Sequence, residues 1–198
     1  MTTPTAPTAS TAPAPSTAPA TSVLTRKLRH LFVLLDADGD GFLTAGDLPA
    51  VANRLAGAFP ADPEKARRLR LALERIWEGH LRHMDGGGAG RLDPAAYERG
   101  VRAATAATPE AFLSALHEAA AAWLSLCDAD GNGAVDFDEY TRMGRVLGIA
   151  PEEMEVAFAR LDRNGDGYLE PEGVHAAVIE FFTSDDPEAA GNWLYGPL

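Results

Sequence analysis

The residues best suited to chemistry are oxygen-bearing side chains spaced along the stretch 128–139. They stand at its first, third, fifth, ninth and twelfth positions, and Gly133 stands at the sixth. Ca²⁺ is a hard cation that takes roughly 6–8 oxygen ligands, so a short peptide must wrap around the ion to bind it. The predicted ligands are five side chains and the carbonyl of the seventh residue: Asp128, Asp130, Asn132, Ala134, Asp136 and Glu139. This spacing predicts a calcium loop in which Asp136 acts through a water and Glu139 through both carboxylate oxygens.

The same twelve-residue pattern occurs at four places in the chain. We number the copies loop 1 (36–47), loop 2 (85–96), loop 3 (128–139) and loop 4 (162–173). The spacing is that of the EF-hand calcium loop, and its repetition makes coincidence an unlikely explanation. The sequence therefore predicts four EF-hands.

Loop 1 has a full set of predicted ligands, but it ends in an aspartate. These ligands are Asp36, Asp38, Asp40, the carbonyl of Phe42, Thr44 and Asp47. Because aspartate is one methylene shorter than glutamate, closing the loop on both oxygens requires the helix to move inward. We therefore expect weaker Ca²⁺ binding here, or more tolerance of Mg²⁺, which prefers fewer and closer oxygens.

Loop 4 combines strong early positions with a defective twelfth position. The predicted ligands are Asp162, Asn164, Asp166, the carbonyl of Tyr168, Glu170 and Glu172. Gly173 at the twelfth position has no side chain, and on a regular helix Glu172 points about 100° away. Either the start of the helix shifts to bring Glu172 in, or water completes the shell. The prediction is a weak site that depends on loop 3, and two to three bound Ca²⁺ in the whole protein.

Loop 2 retains carboxylates only at Asp85 and Asp93, with Gly87, Ala89 and Ala96 at other ligand positions. Two carboxylates do not enclose a calcium ion, so we expect this loop to fold without binding metal. EF-hands work in couples joined at the eighth loop position, and all four residues there are apolar: Leu43, Leu92, Val135 and Leu169. Hand 1 should therefore pair with hand 2, and hand 3 with hand 4.

The predicted fold is all-α, with four EF-hands in two pairs and a short β-bridge within each pair. Residues 1–22 contain almost only Thr, Ala, Pro and Ser, which predicts a disordered tail. Residues 23–106 form the first pair and 107–182 the second. Residues 183–198 hold Trp193, Leu194 and Tyr195, which favours a C-terminal tail that packs on the core over a mobile terminus.

The overall composition indicates an acidic protein without membrane spans. The 198 residues carry a net charge of −12, and 15 of the 29 acidic residues lie in the four loops, which argues against a nucleic-acid partner. No apolar run approaches the ~20 residues of a membrane span, and no secretory signal is visible. Cys127 is the only cysteine, which excludes an intrachain disulfide and is compatible with a cytoplasmic location. We expect a monomer.

The order active, inactive, active, active and the long linker helix make the chain resemble calerythrin and the sarcoplasmic calcium-binding proteins. The resemblance covers residues 23–198 and departs from the family pattern at Asp47 and Gly173. It implies a compact, cytosolic calcium buffer or signal modulator with metal in the first, third and fourth hands. It does not imply an enzyme, and the sequence has no catalytic triad, phosphate loop or Cys/His zinc pattern.

Two alternatives to a calcium buffer or transporter stay open. A sensor exposes a Met-rich groove for a protein partner when it binds Ca²⁺, but this chain has only 4 methionines. The fold also resembles calcium-triggered photoproteins and luciferin-binding proteins, which hold a small molecule among paired His, Trp and Tyr side chains. No spacing groups the histidines of this chain with Trp77 or Trp123.

Overall fold

A computed structural model describes residues 21–59, 62–85 and 88–198. In that part of the chain we number eight α-helices. They are α1 (Val23–Leu35), α2 (Asp47–Ala58), α3 (Pro63–Gly79), α4 (Pro94–Ala107), α5 (Pro109–Cys127), α6 (Phe137–Leu147), α7 (Pro151–Leu161) and α8 (Pro171–Thr183). Two 3₁₀ helices span Leu81–His83 and Ala190–Trp193. Most of the predicted disordered tail, residues 1–20, and Gly87 of loop 2 lie outside the described residues.

Four two-residue strands join the hands in pairs, as the apolar eighth positions predict. Strand β1 (Leu43–Thr44) is antiparallel to β2 (Arg91–Leu92), and Leu43 faces Leu92. Strand β3 (Val135–Asp136) is antiparallel to β4 (Tyr168–Leu169), and Val135 faces Leu169. All four of these facing residues are buried. The prediction of an all-α protein with one short bridge in each pair is confirmed.

The sixth residue of each loop adopts the backbone conformation that a tight wrap around a cation requires. Gly41, Gly90, Gly133 and Gly167 have φ angles of 84°, 68°, 90° and 87°. Side chains with a Cβ rarely adopt this left-handed region. Glycine at this position therefore lets the chain turn inward even in loop 2, where most ligand side chains are missing.

The two pairs of hands share one hydrophobic core. Helix α3 of the first pair packs along α5 of the second, α2 packs on α6, and α1 packs on α8. Buried apolar residues from all eight helices form a single cluster. A change at one pair therefore reaches the other through contacts that are already made.

The C-terminal segment lies against this core. Leu194 is buried, the Tyr140 hydroxyl donates a hydrogen bond to the carbonyl of Trp193 (3.2 Å), and His30 Nε2 donates to the carbonyl of Tyr195 (2.9 Å). The amide of Gly191 donates to Glu180 Oε2 (2.8 Å). The segment thus connects α1, α6 and α8. No helix in the described ranges has the length and apolarity needed to cross a membrane.

Candidate metal centres

Loop 3 brings its acidic side chains together at one point. Carboxylate oxygens of Asp128, Asp130 and Glu139 all lie within 4.8 Å of one another. Asp128 and Glu139 are buried while Asp130 is exposed. Three converging carboxylates repel one another, and hard oxygen donors in this arrangement suit a hard divalent cation. The donor set therefore fits Ca²⁺.

Backbone amides hold these carboxylates in place. Asp128 accepts hydrogen bonds from the amides of Gly131 (2.8 Å) and Gly133 (3.2 Å). Glu139 accepts from the amides of Ala129 (2.7 Å, at Oε1) and Asp136 (3.1 Å, at Oε2). The second of these bonds belongs to a capping box at the start of α6, because the Asp136 side chain accepts from the Glu139 amide in return. The same geometry caps the helix and orients the twelfth-position ligand.

Loop 3 also has a contact that the sequence pattern does not reveal. The ammonium group of Lys65, on α3 of the other pair, donates to the main-chain carbonyl of Asp128 (2.6 Å). Lys65 stands in a basic helix, and basic helices most often have solvated faces. No local spacing distinguishes it from its neighbours, since its partner is 63 residues away.

Loop 1 forms the same kind of cluster despite its shorter final side chain. Oxygens of Asp36, Asp38 and Asp47 lie within 4.8 Å of one another, and Asp47 is buried. Asp47 accepts hydrogen bonds from the amides of Ala37 (3.0 Å) and Thr44 (2.8 Å), which are the second and ninth residues of the loop. These positions correspond to Ala129 and Asp136 in loop 3. Aspartate here therefore binds the same two amides that glutamate binds there.

The remaining predicted ligands of loops 1 and 3 lie within the wrapped backbone. Asp40 Oδ1 accepts from the amide of Phe42 (2.8 Å), and Asn132 Oδ1 accepts from the amide of Ala134 (2.9 Å). The Thr44 hydroxyl donates to Asp47 (2.7 Å). Each of these oxygens belongs to a residue that the loop pattern designates as a ligand.

Loop 4 wraps like the other loops but does not gather a comparable cluster. Asp162 accepts hydrogen bonds from the amides of Gly165 and Gly167, both at 2.9 Å, and Asp166 accepts from the amide of Tyr168 at 2.9 Å. Among the described residues, only loops 1 and 3 bring three carboxylate, imidazole or thiol groups within 4.8 Å of one another.

The twelfth position of loop 4 accounts for this difference. Helix α8 begins regularly at Pro171, with Glu170 as its N-cap, so Gly173 occupies the place that Glu139 has in α6. Glu172 is exposed in the first turn and does not line the cavity of about 140 Å³ beside Gly173 and Glu170. In this structure the start of α8 has not shifted to bring Glu172 to the loop.

Loop 2 retains its wrapped form at both ends. Asp85 accepts from the amides of Gly88 (3.0 Å) and Gly90 (2.9 Å), and Asp93 caps α4 through the amide of Ala96 (2.7 Å). Two carboxylates that cap and wrap the backbone suffice for folding, while alanines at the fifth and twelfth positions offer no side-chain oxygen.

An apolar cavity of about 110 Å³ lies between the two pairs of hands. Residues of α1, α2, α3, α5 and α8 line it together with Leu194 and Tyr195 of the C-terminal segment. Trp123, Tyr97 and Tyr195 are among its aromatic lining residues, but no histidine of the described chain lines it. Two histidines instead meet between α5 and α8, where the ring centroids of His117 and His175 are 3.3 Å apart.

The family model described as EF hand matches residues 28–49, 120–143 and 154–172, which include loops 1, 3 and 4 in whole or in large part. The chain is an EF-hand protein. Loop 2 lies outside the matched ranges of this EF-hand protein.

Two relatives and one solved structure match most of this EF-hand protein. It is 27% identical to obelin of Obelia longissima over 179 residues, covering 86% of this chain and 88% of obelin. It is 26% identical to calerythrin of Saccharopolyspora erythraea over 164 residues, covering 81% and 93%. The structure of a Streptomyces coelicolor calcium-binding protein, described in terms of prokaryotic calcium-mediated regulation, superposes with a TM-score of 0.70 at 25% identity, covering 81% and 98%.

These comparisons confirm the resemblance to calerythrin and identify a calcium-binding protein rather than an enzyme. The relatives and structural neighbours are EF-hand calcium-binding proteins and photoproteins.

Proposed function

We propose that this protein is a cytoplasmic, monomeric calcium buffer that binds Ca²⁺ strongly in loops 1 and 3 and weakly in loop 4. The observation that carries the proposal is the convergence of three carboxylates in each of loops 1 and 3. In both loops the twelfth residue is buried and held by the same two backbone amides. The ligands are therefore already arranged before an ion arrives, which reduces the ordering cost of binding.

The closed state of the apolar core supports a buffer over a sensor. Leu194 and Tyr195 cover the central cavity, and Met143 is the only methionine that lines it. Sensors use a flexible, Met-rich groove to grip target helices. A cavity lined mainly by leucine and aromatic side chains lacks that adaptability.

Calcium titration of chelator-stripped protein in millimolar Mg²⁺, followed by calorimetry, tests the metal sites. We expect two strong ions and a third, weaker one. Glu139→Gln should remove one strong ion, because it replaces the buried bidentate carboxylate of loop 3 by a neutral amide. The matched control is Asp93→Asn in loop 2, which keeps a helix-capping oxygen and should leave the number of ions unchanged. An equal loss in both variants would contradict the assignment of loop 3.

A calcium sensor is the second candidate. It is supported by the similarity to the S. coelicolor protein, whose structure is described as a basis for calcium-mediated regulation. It is also supported by the C-terminal segment, which covers an apolar cavity through a small number of hydrogen bonds. An apolar dye distinguishes the candidates: a buffer should bind little dye with or without Ca²⁺, whereas a sensor should bind much more with Ca²⁺.

A photoprotein-like role is supported by the similarity to obelin and by the presence of an apolar cavity. The cavity of about 110 Å³ is, however, well below the roughly 300–1,000 Å³ of sites that hold larger organic ligands. A cavity of about 150 Å³ holds benzene. We therefore expect this cavity to admit only small apolar molecules unless the C-terminal segment moves.

A further inference from the structure

The cavity beside Gly173 in loop 4 has the features of a binding site for a carboxylate. Its volume is about 140 Å³, and Asn164, Glu170 and Gly173 line it together with Arg163 and Tyr168. A single water requires only about 10–15 Å³ by a comparable measure. The space therefore suits a group of several atoms next to the oxygen ligands of the loop.

Loops 1 and 3 show what occupies the equivalent place. In each, one carboxylate accepts a hydrogen bond from the amide of the second loop residue and one from the amide of the ninth. Asp47 binds the amides of Ala37 and Thr44, and Glu139 binds those of Ala129 and Asp136, at 2.7–3.1 Å. Two amide donors at fixed separation thus form a receptor for one carboxylate.

In loop 4 the equivalent donors are the amides of Arg163 and Glu170. Neither amide donates a hydrogen bond to an acceptor within the described residues, although the amides of Gly165, Gly167 and Tyr168 in the same loop do. The reason is that Gly173, the third residue of α8, has no side chain to complete the capping box seen at α6. The two donors of the receptor remain, but the chain supplies no carboxylate.

We propose that loop 4 completes its calcium site with the carboxylate of a separate small molecule, which occupies the cavity beside Gly173. This carboxylate accepts hydrogen bonds from the amides of Arg163 and Glu170 and provides the oxygens that Glu139 provides in loop 3. The proposal rests on the proposed function, since it takes loop 4 to be a weak metal site.

The charges around the cavity make the binding of anion and cation interdependent. Asp162, Asp166 and Glu170 are acidic, so a free carboxylate is repelled until a divalent cation lies between them. The N-terminus of α8 and the guanidinium of Arg163 favour a negative charge once the cation is present. Arg163 pairs with Glu180 Oε1 at 2.8 Å, which keeps its charge close to the cavity rim. Carboxylate binding should therefore depend on metal, and the metal affinity of loop 4 should depend equally on carboxylate.

Terbium luminescence tests this proposal at loop 4 specifically. Tb³⁺ replaces Ca²⁺ at oxygen sites and emits when a nearby tyrosine absorbs light. Loop 4 carries Tyr168 at its seventh position, where loop 1 has Phe42 and loop 3 has Ala134. Tyr168→Phe keeps the backbone carbonyl ligand, so the part of the emission that this variant loses belongs to loop 4. Emission lifetimes in H₂O and D₂O then count the waters bound to that ion.

Acetate is the probe, added up to roughly 100 mM with free Tb³⁺ held constant by a metal buffer. We expect the loop-4 ion to lose about one or two waters, and its apparent affinity to rise roughly tenfold if acetate reaches about ten times its dissociation constant. Gly173→Glu supplies the carboxylate within the chain, and a Cβ at Gly173 meets no atom within 4 Å. This variant should start with fewer bound waters and should not respond to acetate.

The outcomes separate this inference from the proposed function. Tyr168-dependent emission that acetate leaves unchanged would overturn the carboxylate site but leave loop 4 as a metal site. No Tyr168-dependent emission, with or without acetate, would overturn both. If the water count instead fell with protein concentration and a dimer formed in sedimentation, the carboxylate would come from a second copy, and the small-molecule assignment would be wrong.

Discussion

Gly191→Ala should detach the C-terminal segment from the core. Gly191 is buried against α8, and a Cβ at this position would lie 2.4 Å from the carbonyl oxygen of Ala177, 2.6 Å from Cβ of Glu180 and 3.0 Å from the amide nitrogen of Phe181. These atoms belong to the backbone or the first side-chain carbon of a packed helix. They cannot move aside as the end of a flexible side chain can, so the segment itself must lift.

Two routes give similar magnitudes for the cost. Overpacking a tight site costs about 1–3 kcal/mol, and losing the hydrogen bond from Gly191 to Glu180 adds about 1 kcal/mol. Alternatively, releasing the segment exposes Leu194, a loss of about 1.5–3 kcal/mol, together with hydrogen bonds of about 1 kcal/mol. Both give about 2–4 kcal/mol. For a chain of 198 residues this corresponds to a melting temperature lower by roughly 4–16 °C.

The assay is thermal unfolding with Ca²⁺ bound, combined with apolar dye binding at room temperature. Gly173→Ala is the matched control, because it makes the same substitution in the first turn of α8, where the new Cβ meets nothing within 4 Å. The control should unfold at or slightly above the temperature of the unmodified protein. Gly191→Ala should unfold earlier and bind more dye, because Leu194 and Tyr195 no longer cover the cavity. Equal melting temperatures and equal dye binding in the two variants would refute the reasoning.

Three further predictions concern single side chains. Asp47→Glu should raise the preference of loop 1 for Ca²⁺ over Mg²⁺ by roughly an order of magnitude, because a longer side chain closes a larger shell; competitive calorimetry measures it, and an unchanged ratio would contradict the argument from side-chain length. Burial lowers the pKa of Lys27 from 10.5 to about 8, so the unfolded chain holds this proton more tightly and the contribution to stability falls as the pH drops from about 10.5 to 8. Lys27→Met should therefore lose stability relative to the unmodified protein as the pH rises through that window, and parallel melting curves at every pH would disprove the linkage. Burial first, and neighbouring His175 second, lower the pKa of His117, so its contribution is present above about pH 6.5 and declines below it. His117→Gln should accordingly lose less stability than the unmodified protein between about pH 7 and 5, which melts at the two pH values can show.

Much of the fold was predictable because an EF-hand loop fixes local structure within twelve residues. Glycine at the sixth position permits the turn, and an apolar residue at the eighth pairs with its partner loop, so the couplings Leu43–Leu92 and Val135–Leu169 followed from spacing alone. The number of hands and their pairing depended on the same short-range pattern. Helix starts at Pro63, Pro109 and Pro151 were marked by proline at the first helical position.

The geometry at the twelfth loop position required the structure. Side-chain length alone suggested that Asp47 would reach its ligand position only if the helix moved inward, yet Asp47 binds the same two loop amides as Glu139. The sequence left two alternatives for Glu172. The regular start of α8 leaves that side chain exposed, because successive helical residues point about 100° apart.

The sequence by itself determined that this is a four-hand calcium-binding protein, since the ligand spacing, the turn glycines and the pairing residues are local properties. Only the tertiary structure decided which distant groups support the loops and cover the core. The contacts of Lys65 with Asp128, of Arg163 with Glu180 and of Gly191 with α8 join residues far apart in the chain or on different elements. Such contacts depend on how whole helices pack, and periodicity within one helix carries no information about which partner meets its outer face.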